Sequence, residues 1–373
     1  MKIVILTEIP APFRIPLFNA LADRPGVELT VVFLRAAHPA RPYRLYPEEL
    51  RFRWKVLPGF HIVRGSRWLV VNVGVGRALR RARPDIVVLG GWNQPAFWIG
   101  LLRARIARRP AVAWVESTSR DARSGLGLLE VAKRRFLRTC AGFLVPGQAT
   151  ADYLAELGIA GERVAIAPNA VDGRIFGERV LEARAGRDEL RAQLGLSGFV
   201  VLSVGRLDTE KGIDVLIEAV GRLPATASLV IAGTGREERR LRALADRVAP
   251  GRVRLLGFVA RDELVPWYAA ADAFALPSRS EQWGMTLNEA TLAGLPVVAS
   301  DVAGATRELV EDGVSGFLVQ ADGVEALRVG LERLRADEAF RHAAGLRSAE
   351  LAAQLTPEAW TAAVEELARS VLL

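Results

Sequence analysis

Short runs of β-branched and apolar residues alternate with stretches of helical spacing along the first half of the chain. The runs predict strands at Ile3–Leu6, Glu28–Phe33, Asp85–Leu89, Ala111–Val115, Gly142–Val145 and Arg163–Ala167. Apolar residues with helical spacing lie between many of them, as in Gln94–Ala107 and Gly125–Thr139. Strands separated by helices indicate a parallel sheet with crossover helices. The aromatic-rich stretch 36–66 shows no clear period and is assigned to no element.

The second half repeats this alternation. Its predicted strands are Phe199–Val204, Ala227–Ala232, Val253–Leu256, Ala273–Leu276, Val297–Ala299 and Gly316–Val319, and its predicted helices include Gly212–Arg222, Arg236–Val248, Arg261–Ala269 and Met285–Ala293. Regular spacing is lost at 168–172, which places a hinge between domains 1–172 and 173–355. Two doubly wound α/β domains in tandem predict a ligand-binding cleft that faces the carboxyl ends of both sheets. A last segment, 356–373, holds a helix opened by Thr356 and Pro357, which we expect to pack back toward the N-terminal domain.

Cysteine content and hydropathy limit the cellular compartments in which the chain is expected. Its single cysteine, Cys140, excludes an internal disulfide framework and is typical of a reducing compartment. Met1–Leu6 has too short an apolar run for a signal peptide, and no run of about 18 uncharged apolar residues predicts a transmembrane helix. We therefore expect a cytoplasmic protein that is at most attached to the inner face of a membrane.

Charge is divided unevenly between the two halves of the chain. Residues 1–180 contain 28 Lys and Arg against 14 Asp and Glu, whereas the rest contains 22 against 28, and the whole chain carries a net charge of +8. Much of the excess lies in three groups: Arg77, Arg80, Arg81 and Arg83; Arg103, Arg105, Arg108 and Arg109; and Lys133, Arg134, Arg135 and Arg138. Basic amphipathic helices are suited to an anionic membrane surface. The alternative is that these residues form ordinary solvated faces.

The segment Val204–Gly212 combines a strand end, a glycine, two cations and a helix start. Arg206 can bind two phosphate oxygens at once, and Lys211 adds a compact charge. A helix that begins directly after such a loop offers free N–H groups to an anion. The segment therefore predicts a diphosphate-binding loop. The alternative is a surface network in which both cations pair with nearby carboxylates, namely Asp208, Glu210 or Asp214.

A second polar loop, 277–284, follows a predicted strand and opens a helix. Three free backbone N–H groups at that helix start would point toward an anion, those of Gly284, Met285 and Thr286. Glu281 precedes the helix and Glu289 lies just over one turn inside it, so both carboxylates can bind hydroxyl groups of a ligand that carries the anion. The alternative is that Glu281 only favours the helix dipole and that Glu289 is a solvated helical residue.

Taken together, these segments resemble family 4 glycosyltransferases, which are retaining enzymes with two facing Rossmann-like domains, the GT-B fold. Glu281 and Glu289, with seven residues between them, resemble the paired-glutamate motif of that family. The run Gly205–Gly212 is similar to its diphosphate loop. Further similar segments are its glycine turn, its base-contacting segment and two later loops, at Leu229–Gly235, Leu256–Val259, Asp301–Gly304 and Asp312–Gly316. The similarity is dense over residues 163–330.

The resemblance implies a nucleoside-diphosphate sugar as donor substrate, with no permanently bound cofactor. The donor-binding residues that it implies are Gly205, Arg206, Lys211, Gly233, Phe258, Val259, Gly284, Met285, Thr286, Leu287 and Glu289. Arg206 and Lys211 would neutralise the leaving diphosphate, Glu281 would act in catalysis by holding hydroxyls of the donor sugar, and Glu289 would hold the ribose. No metal is required on this interpretation. The chain lacks an Asp-x-Asp motif, and its histidines, His38, His61 and His342, do not predict a metal cluster.

The N-terminal half departs from the better-known members of that family. The loop Thr7–Arg14 contains prolines but no glycine, which predicts a stiff loop rather than one that wraps a ligand. Glu116 follows a predicted strand, near where relatives often have a histidine, and is the catalytic candidate that orients the acceptor hydroxyl or accepts its proton. The alternative is a structural carboxylate paired with Arg120 or Arg123. Trp92 follows another strand and is a candidate either for stacking on a sugar or for simple packing.

The residues and the resemblance together predict a retaining, metal-independent hexosyltransferase in bacterial cell-surface glycan or glycolipid synthesis. Its expected partners are a nucleotide-sugar donor, a lipid-linked or polymeric glycan acceptor and an anionic membrane surface. One alternative is a sugar-nucleotide 2-epimerase on the same scaffold, against which the scarcity of histidines argues. Another is a basic nucleic-acid-binding protein, suggested by the sequence pI of about 10.3. The basic residues are not interleaved with aromatic ones on a recognisable nucleic-acid-binding fold, so we expect no nucleic acid partner.

Overall fold

The computed structural model describes residues 1–37, 46–64, 67–121, 127–174 and 176–373. Over these residues the chain divides into two compact units. The first unit comprises Met1–Ala170 together with Pro357–Leu373, and the second comprises Val171–Thr356. Each unit is built around its own parallel sheet.

The first unit contains a seven-stranded sheet and a separate hairpin. The strands in chain order are β1 Lys2–Thr7, β2 Glu28–Phe33, β3 Arg53–Val56, β4 Gly59–Arg64, β5 Arg67–Asn72, β6 Ile86–Leu89, β7 Ala111–Trp114, β8 Gly142–Val145 and β9 Val164–Ile166. The sheet has the parallel order β3-β2-β1-β6-β7-β8-β9, and β4 pairs with β5 in the antiparallel hairpin. Strands β6, β7 and β8 are buried at every position, which explains why each reads as a continuous apolar run.

Helices cover both faces of this sheet. They are α1 Ile15–Ala22, α2 Val75–Ala82, α3 Pro95–Ile106, α4 Gly127–Thr139 and α5 Gln148–Glu156. Residues of α2 to α5 share one core cluster, in which Phe97 and Phe136 are almost fully buried. Phe18 of α1 belongs to a second cluster. Because neighbouring residues of a strand point to opposite faces, the two clusters take alternate residues of β1.

The second unit contains a six-stranded parallel sheet. Its elements in chain order are α6 Phe176–Ala185, α7 Arg187–Gln193, β10 Phe199–Val204, α8 Ile213–Gly221, β11 Ala227–Ala232, α9 Glu238–Val248, β12 Val253–Gly257, α10 Arg261–Ala270, β13 Ala273–Leu276, α11 Met285–Leu292, β14 Val297–Ser300, α12 Thr306–Leu309, β15 Gly316–Val319, α13 Val324–Ala336 and α14 Glu338–Ala352. The strand order, β12-β11-β10-β13-β14-β15, is that of the Rossmann fold. The order reverses direction between β10 and β13.

The last helix, α15 Pro357–Leu372, belongs to the first unit and completes its core. Trp360 is fully buried there and packs at 5.4 Å from the Trp114 ring. Glu365 is also buried, and its carboxylate accepts two hydrogen bonds from the Arg24 guanidinium, at 2.8 and 3.0 Å. An aromatic cluster and a charged pair therefore hold α15 against the N-terminal part of the chain.

The prediction of two doubly wound, Rossmann-like α/β domains is confirmed, and the predicted strands lie within one or two residues of their expected bounds. The unassigned stretch 36–66 contains β3 and β4. Strand β3 is mostly exposed and includes two charged residues, so it has no apolar run that would reveal it. No helix among the described residues is long and apolar enough to cross a membrane.

Candidate functional site

Two loops that the sequence singled out meet at the carboxyl edge of the second sheet. The β10 loop, residues 205–212, follows β10, and the β13 loop, residues 277–284, follows β13. Strands β10 and β13 are neighbours at the point where the strand order reverses. Ligands of open α/β sheets bind outside the carboxyl ends of the strands at such a point. This edge is therefore the candidate site of the second unit.

Arg206 takes part in an ion-pair network within the β10 loop. Its guanidinium donates to the carboxylates of Asp208 and Glu210. Asp208 also accepts a hydrogen bond from Arg236 at 3.2 Å. Burial tends to raise the pKa of Asp208, but the hydrogen bond from Arg236 and the charge of Arg206 bring it below its ordinary value. The pairing foreseen as the alternative is thus present for Arg206, while its side chain remains 41% exposed.

Lys211 pairs across the two loops rather than within its own. Its ammonium group donates to the carboxylate of Glu281, and each of the two side chains is 16% exposed. The alternative drawn from the sequence placed the partner of Lys211 in its own segment, whereas the observed partner lies 70 residues further along the chain. The residue predicted to bind phosphate, Lys211, is therefore in contact with the residue predicted to act in catalysis, Glu281.

Two glycines allow the backbones at this edge to approach each other closely. Gly212 has a φ of +63°, and a Cβ atom there would lie 2.0 Å from the carbonyl oxygen of Pro277. Gly233 follows β11 with a φ of +152°, and a Cβ atom there would lie 1.8 Å from the carbonyl oxygen of Gly205. The Gly205 N–H in turn donates to the Ala232 carbonyl at 3.0 Å. Main chain packs directly on main chain here, so no side chain fits at either position.

Helix α11 begins at the residue that the sequence predicted. Gly284 is its N-cap, with a φ of +101°. First-turn N–H groups have no acceptor within a helix, so those of Met285 and Thr286 stay candidates for binding a ligand. The Leu287 N–H, by contrast, donates to the Gly284 carbonyl at 2.8 Å, and its side chain is fully buried. Leu287 therefore anchors the helix start in the core.

Glu289 has a buried partner that the sequence did not reveal. The Tyr268 hydroxyl of α10 donates to Glu289 Oε2 at 2.7 Å, and Tyr268 is fully buried. Burial raises the pKa of Glu289 to about 7, although the Tyr268 hydrogen bond and the charge of Arg261 act in the opposite direction. Glu289 is thus held in place and is not a freely solvated residue. No local sequence signal marks Tyr268, because it is one of several buried residues of α10, with Leu264 and Val265 among the others.

The segment after β12 presents an aromatic side chain to solvent. Phe258 is 57% exposed, whereas Val259 packs partly against the core. The Gly233 N–H donates to the Gly257 carbonyl at 2.7 Å, which ties this segment to the turn after β11. Both predicted base-contacting residues therefore lie along the carboxyl edge of the sheet, on the side of β11 away from β10.

Glu116 belongs to the first unit, where it follows β7. Its carboxylate pairs with Arg14 at 2.9 Å and lies 3.5 Å from the amide nitrogen of Asn169. Arg14 also donates to the Thr7 hydroxyl at 2.7 Å, and its guanidinium lies 4.4 Å from the centroid of the Trp114 ring. Arg14 therefore compensates the charge of Glu116 and fixes its position.

Arg14 was not among the neighbours of Glu116 considered from the sequence, Arg120 and Arg123. Arg14 comes from the proline-containing loop after β1, a strand that β6 separates from β7 in the sheet. Arg123 lies outside the described residues. The catalytic role of Glu116 toward an acceptor stays a prediction. The alternative, in which Glu116 is a structural carboxylate, is now supported by a specific partner, Arg14.

Trp92 and Lys133 lie together in the first unit. Trp92 packs partly against the core, and the Lys133 ammonium lies 6.0 Å from the centroid of its ring. Lys133 is buried, with Tyr153 and Glu130 as hydrogen-bond partners. Lys133, which the sequence grouped with exposed basic residues, is therefore a structural cation inside the unit.

Two family models match successive parts of the chain. The model described as Glycosyltransferase Family 4 matches residues 17–173, and the model described as Glycosyl transferases group 1 matches residues 186–350. The D-inositol 3-phosphate glycosyltransferase of Nocardia farcinica is 30% identical over 353 residues, which cover 87% of this chain and 72% of that protein. The lipopolysaccharide core biosynthesis glycosyltransferase LpsE of Rhizobium meliloti is 28% identical over 96% of this chain and 95% of that protein.

Several further matches cover only part of the chain, and solved structures share its fold. The chain spans about half the length of several further curated relatives, 47% in one case. The crystal structure of Anabaena Alr3699/HepE in complex with UDP superposes with a TM-score of 0.80 at 23% identity, covering 99% of this chain and 100% of that one. At this identity the superposition shows a common fold.

Proposed function

The chain belongs to glycosyltransferase family 4, and on this premise we propose that it transfers a sugar from a nucleoside diphosphate to an acceptor hydroxyl with retention of configuration. The donor binds at the carboxyl edge of the second unit. The acceptor is a lipid-linked or polymeric glycan, bound by the first unit. The name of LpsE, which matches almost the whole chain, supports a role in the synthesis of a cell-surface glycan or glycolipid.

The observation that carries this proposal is the contact between Lys211 and Glu281. It joins the β10 loop and the β13 loop at the point where the strand order reverses, which is where this class of sheet binds ligands. An ammonium group has three donors, so Lys211 can bind a phosphate oxygen while it keeps Glu281 as a partner. The diphosphate and the sugar attached to it would then lie beside the two residues assigned to them.

The proposed chemistry relies on electrostatic stabilisation of the leaving group. As the bond between the anomeric carbon and the diphosphate oxygen breaks, negative charge grows on the diphosphate. Arg206, Lys211 and the N–H groups at the start of α11 stabilise that charge, and they do so more strongly in a partly buried site than in water. Glu281 holds hydroxyls of the donor sugar, and Glu289 holds the ribose.

The donor is tested with purified full-length protein and a panel of UDP, ADP and GDP in a thermal-shift assay, followed by their sugar conjugates in a transfer assay. We expect one nucleoside diphosphate to raise the melting temperature. Glu281→Gln should reduce sugar transfer more than it reduces nucleotide affinity, because its carboxylate faces the sugar. Absence of binding by all three nucleotides would refute the proposal, and interconversion of the donor sugar without an acceptor would favour an epimerase.

Metal independence is part of the proposal. In the ranges that the structure covers, no group of three or more His, Cys, Asp or Glu side chains is placed to hold a metal ion. We expect sugar transfer to be unchanged by dialysis against EDTA, since Arg206 and Lys211 supply the charge that a divalent cation supplies elsewhere. Loss of activity that returns with added Mg²⁺ or Mn²⁺ would contradict this.

We further propose that the first unit attaches to the anionic inner face of a membrane through α3. This helix exposes an apolar stripe of three residues at helical spacing, Ile99, Leu102 and Ile106, which are 37%, 57% and 65% exposed. Arg105 on α3 is exposed as well, and so is Arg109 after the helix end, which also pairs with Asp85 at 3.5 Å. Apolar side chains flanked by arginines suit an interface of acyl chains and anionic headgroups.

Vesicle flotation tests this attachment. Wild-type protein should float with vesicles containing phosphatidylglycerol at low salt but not with purely zwitterionic ones. The double variant Leu102→Ser/Ile106→Ser should lose flotation. Leu346→Ser serves as control, because it removes a similarly exposed leucine from α14 of the second unit. Equal flotation of all three proteins, or of none, would exclude α3 as the attachment site.

A further inference from the structure

Arg279 of the β13 loop contacts three other segments of the second unit. Its Nη1 donates to the Thr209 carbonyl at 2.7 Å. Its two terminal nitrogens donate to the two carboxylate oxygens of Asp214, at 2.9 and 3.1 Å. Its Nε donates to Asp322 Oδ1 at 2.6 Å. One guanidinium thus ties the β13 loop to the β10 loop, to the first turn of α8 and to the turn before α13.

These contacts surround Lys211 on both sides. Thr209 precedes Lys211 by two residues, and Asp214 follows it by three. The main chain adds to the connection, because the N–H groups of Arg279 and Ser280 donate to the Glu210 carbonyl at 2.8 and 3.2 Å. Glu281, the partner of Lys211, comes two residues after Arg279. Arg279 and the neighbouring N–H groups therefore largely set the position of Lys211 relative to Glu281.

We propose that Arg279 is a positioning residue of the donor site, which fixes the separation of the β10 and β13 loops so that Lys211 and Glu281 face one diphosphate sugar together. This inference rests on the proposed donor site. Arg279 acts through the two loops and its guanidinium is already engaged by protein acceptors. It is distinct from Arg206, whose partly exposed guanidinium is assigned to the diphosphate itself.

The chemistry of the arginine side chain is required for this role. A guanidinium presents five donors in a planar fork, which allows one residue to reach a carbonyl and two carboxylates at once. A lysine at this position keeps the charge but offers a single compact donor centre. The state of Asp214 agrees with a tight pair: burial tends to raise its pKa, yet hydrogen bonds from Arg279 and Arg240 bring the pKa below its ordinary value.

The chain provides a matched control for the loss of this pair. Arg240 of α9 also donates to Asp214, at 3.1 Å, and its other recorded hydrogen bond is to Glu237 at 2.5 Å. Replacing Arg240 removes a cation from the same carboxylate without removing a recorded bond to the β10 or β13 loop. If replacing Arg279 has a larger effect than replacing Arg240, the difference can thus be attributed to the connection between the loops.

The test measures the affinity of UDP, ADP and GDP by calorimetry for wild type, Arg279→Met, Arg279→Lys and Arg240→Met, together with their melting temperatures. Arg279→Met is expected to weaken binding of the preferred nucleotide by roughly tenfold to a hundredfold, since small displacements of a positioned group carry such costs. Arg279→Lys should show most of that loss. Arg240→Met should stay within about twofold of wild type, because the loops remain fastened.

A double-mutant cycle with Lys211→Ala separates positioning from general destabilisation. If Arg279 acts by placing Lys211, the double variant loses little more affinity than Lys211→Ala alone. Fully additive losses, or wild-type affinity in Arg279→Met, would overturn the inference. If Arg279→Met does not fold, Arg279→Lys replaces it in the cycle with the same expected outcomes. Absence of nucleotide binding by wild type would instead refute the proposed donor site.

Discussion

The two sheets of this protein reverse their strand order in the same way but carry different chemistry at their carboxyl edges. In the second unit the edge combines Arg206, Lys211 and Glu281 with glycines that bring main chain onto main chain. In the first unit the loop after β1 has no glycine, and the recorded pair of Arg14 and Glu116 lies against an aromatic ring. The shared strand order therefore places the loops, while the loop residues decide what each edge binds.

The difference explains why one edge is recognisable from the sequence and the other is not. A diphosphate needs cations, free N–H groups and close backbone approach, and these requirements restrict residue types at fixed spacings. An acceptor hydroxyl needs only one oriented polar group, which many arrangements can supply. The family resemblance thus predicts residues of the second edge at fixed spacings, whereas it specifies fewer of the first.

The largest effect that separates the edges is expected from removing one cation at each. Lys211→Ala should reduce the affinity for the preferred nucleoside diphosphate by roughly 2–5 kcal/mol, because it removes the phosphate partner and leaves Glu281 uncompensated. Arg14→Met breaks the pair with Glu116 and is expected to lower the melting temperature but leave nucleotide affinity unchanged. Calorimetry measures both. Equal losses of affinity in the two variants would break the proposed division of roles.

A second large effect is expected from the backbone approach at the second edge. Gly212→Ala forces a side chain to a positive φ and places its Cβ against the Pro277 carbonyl, so we expect a loss of about 2–4 kcal/mol in the free energy of unfolding. Gly251→Ala is the control, because Gly251 has a φ of +71° but no atom within 4 Å of the added Cβ. Gly251→Ala should lose only the free energy that a side chain costs at a positive φ, without the clash at Pro277. Denaturant unfolding compares them, and similar losses would show that the contact with Pro277 is unimportant.

The parts of the fold that the sequence predicts are those with a local signal. Central strands such as β6 and β13 are buried on both faces, and their apolar runs identify them. The hairpin of β4 and β5 leaves Phe60 and Ile62 exposed, so its hydrophobic pattern does not correspond to a buried face. We expected α15 to pack toward the N-terminal domain, but the contact of Trp360 with Trp114 that holds it there is long-range, and no local pattern specifies it.

The residues of the candidate site are divided in the same way, into those with a local sequence signal and those placed by long-range contacts. Gly205, Arg206 and Lys211 lie within seven residues of the end of β10, so the sequence pattern indicates them, whereas Tyr268 reaches Glu289 from another helix. An arginine between a strand end and Glu281 was visible at position 279, but its acceptors come from three separate segments. Pairs between distant segments are a product of the fold, and residue spacing alone does not encode them.

A third and smaller effect should appear as a pH dependence confined to the second edge. Since the pKa of Glu289 is raised to about 7, its carboxylate forms only as the pH rises through that value. If the ionised form holds the ribose, nucleotide affinity should rise roughly tenfold from about pH 6 to about pH 8. The free energy of unfolding should change in the opposite direction: the folded state binds the proton more tightly, so stability falls as the pH rises from 4.5 toward about 7.

Two variants test the assignment to Glu289. In Glu289→Gln both dependences should be lost relative to wild type, since the side chain no longer titrates. In Tyr268→Phe the midpoint should move to higher pH, because the hydrogen bond that favours the carboxylate is gone while the ring still packs. Nucleotide affinity, measured from about pH 6 to about pH 8 in wild type and both variants, tests whether Glu289 is the titrating group. A wild-type pH profile in Glu289→Gln would assign the dependence to another group.

The smallest expected effect concerns the network that occupies Arg206, and it has the opposite sign. Glu210 is exposed and would compete with the proposed diphosphate for the guanidinium, while Asp208 would keep the guanidinium oriented. Glu210→Gln should therefore strengthen nucleotide binding at low salt by up to about 1 kcal/mol, as is usual for exposed pairs, and the gain should shrink when salt screens the charges. Glu325→Gln, which removes an exposed carboxylate paired with Arg328 on α13, should leave affinity unchanged. Weaker binding in Glu210→Gln would mean that this carboxylate holds Arg206 in its binding position, and the second edge would then depend on its acidic residues as much as on its cations.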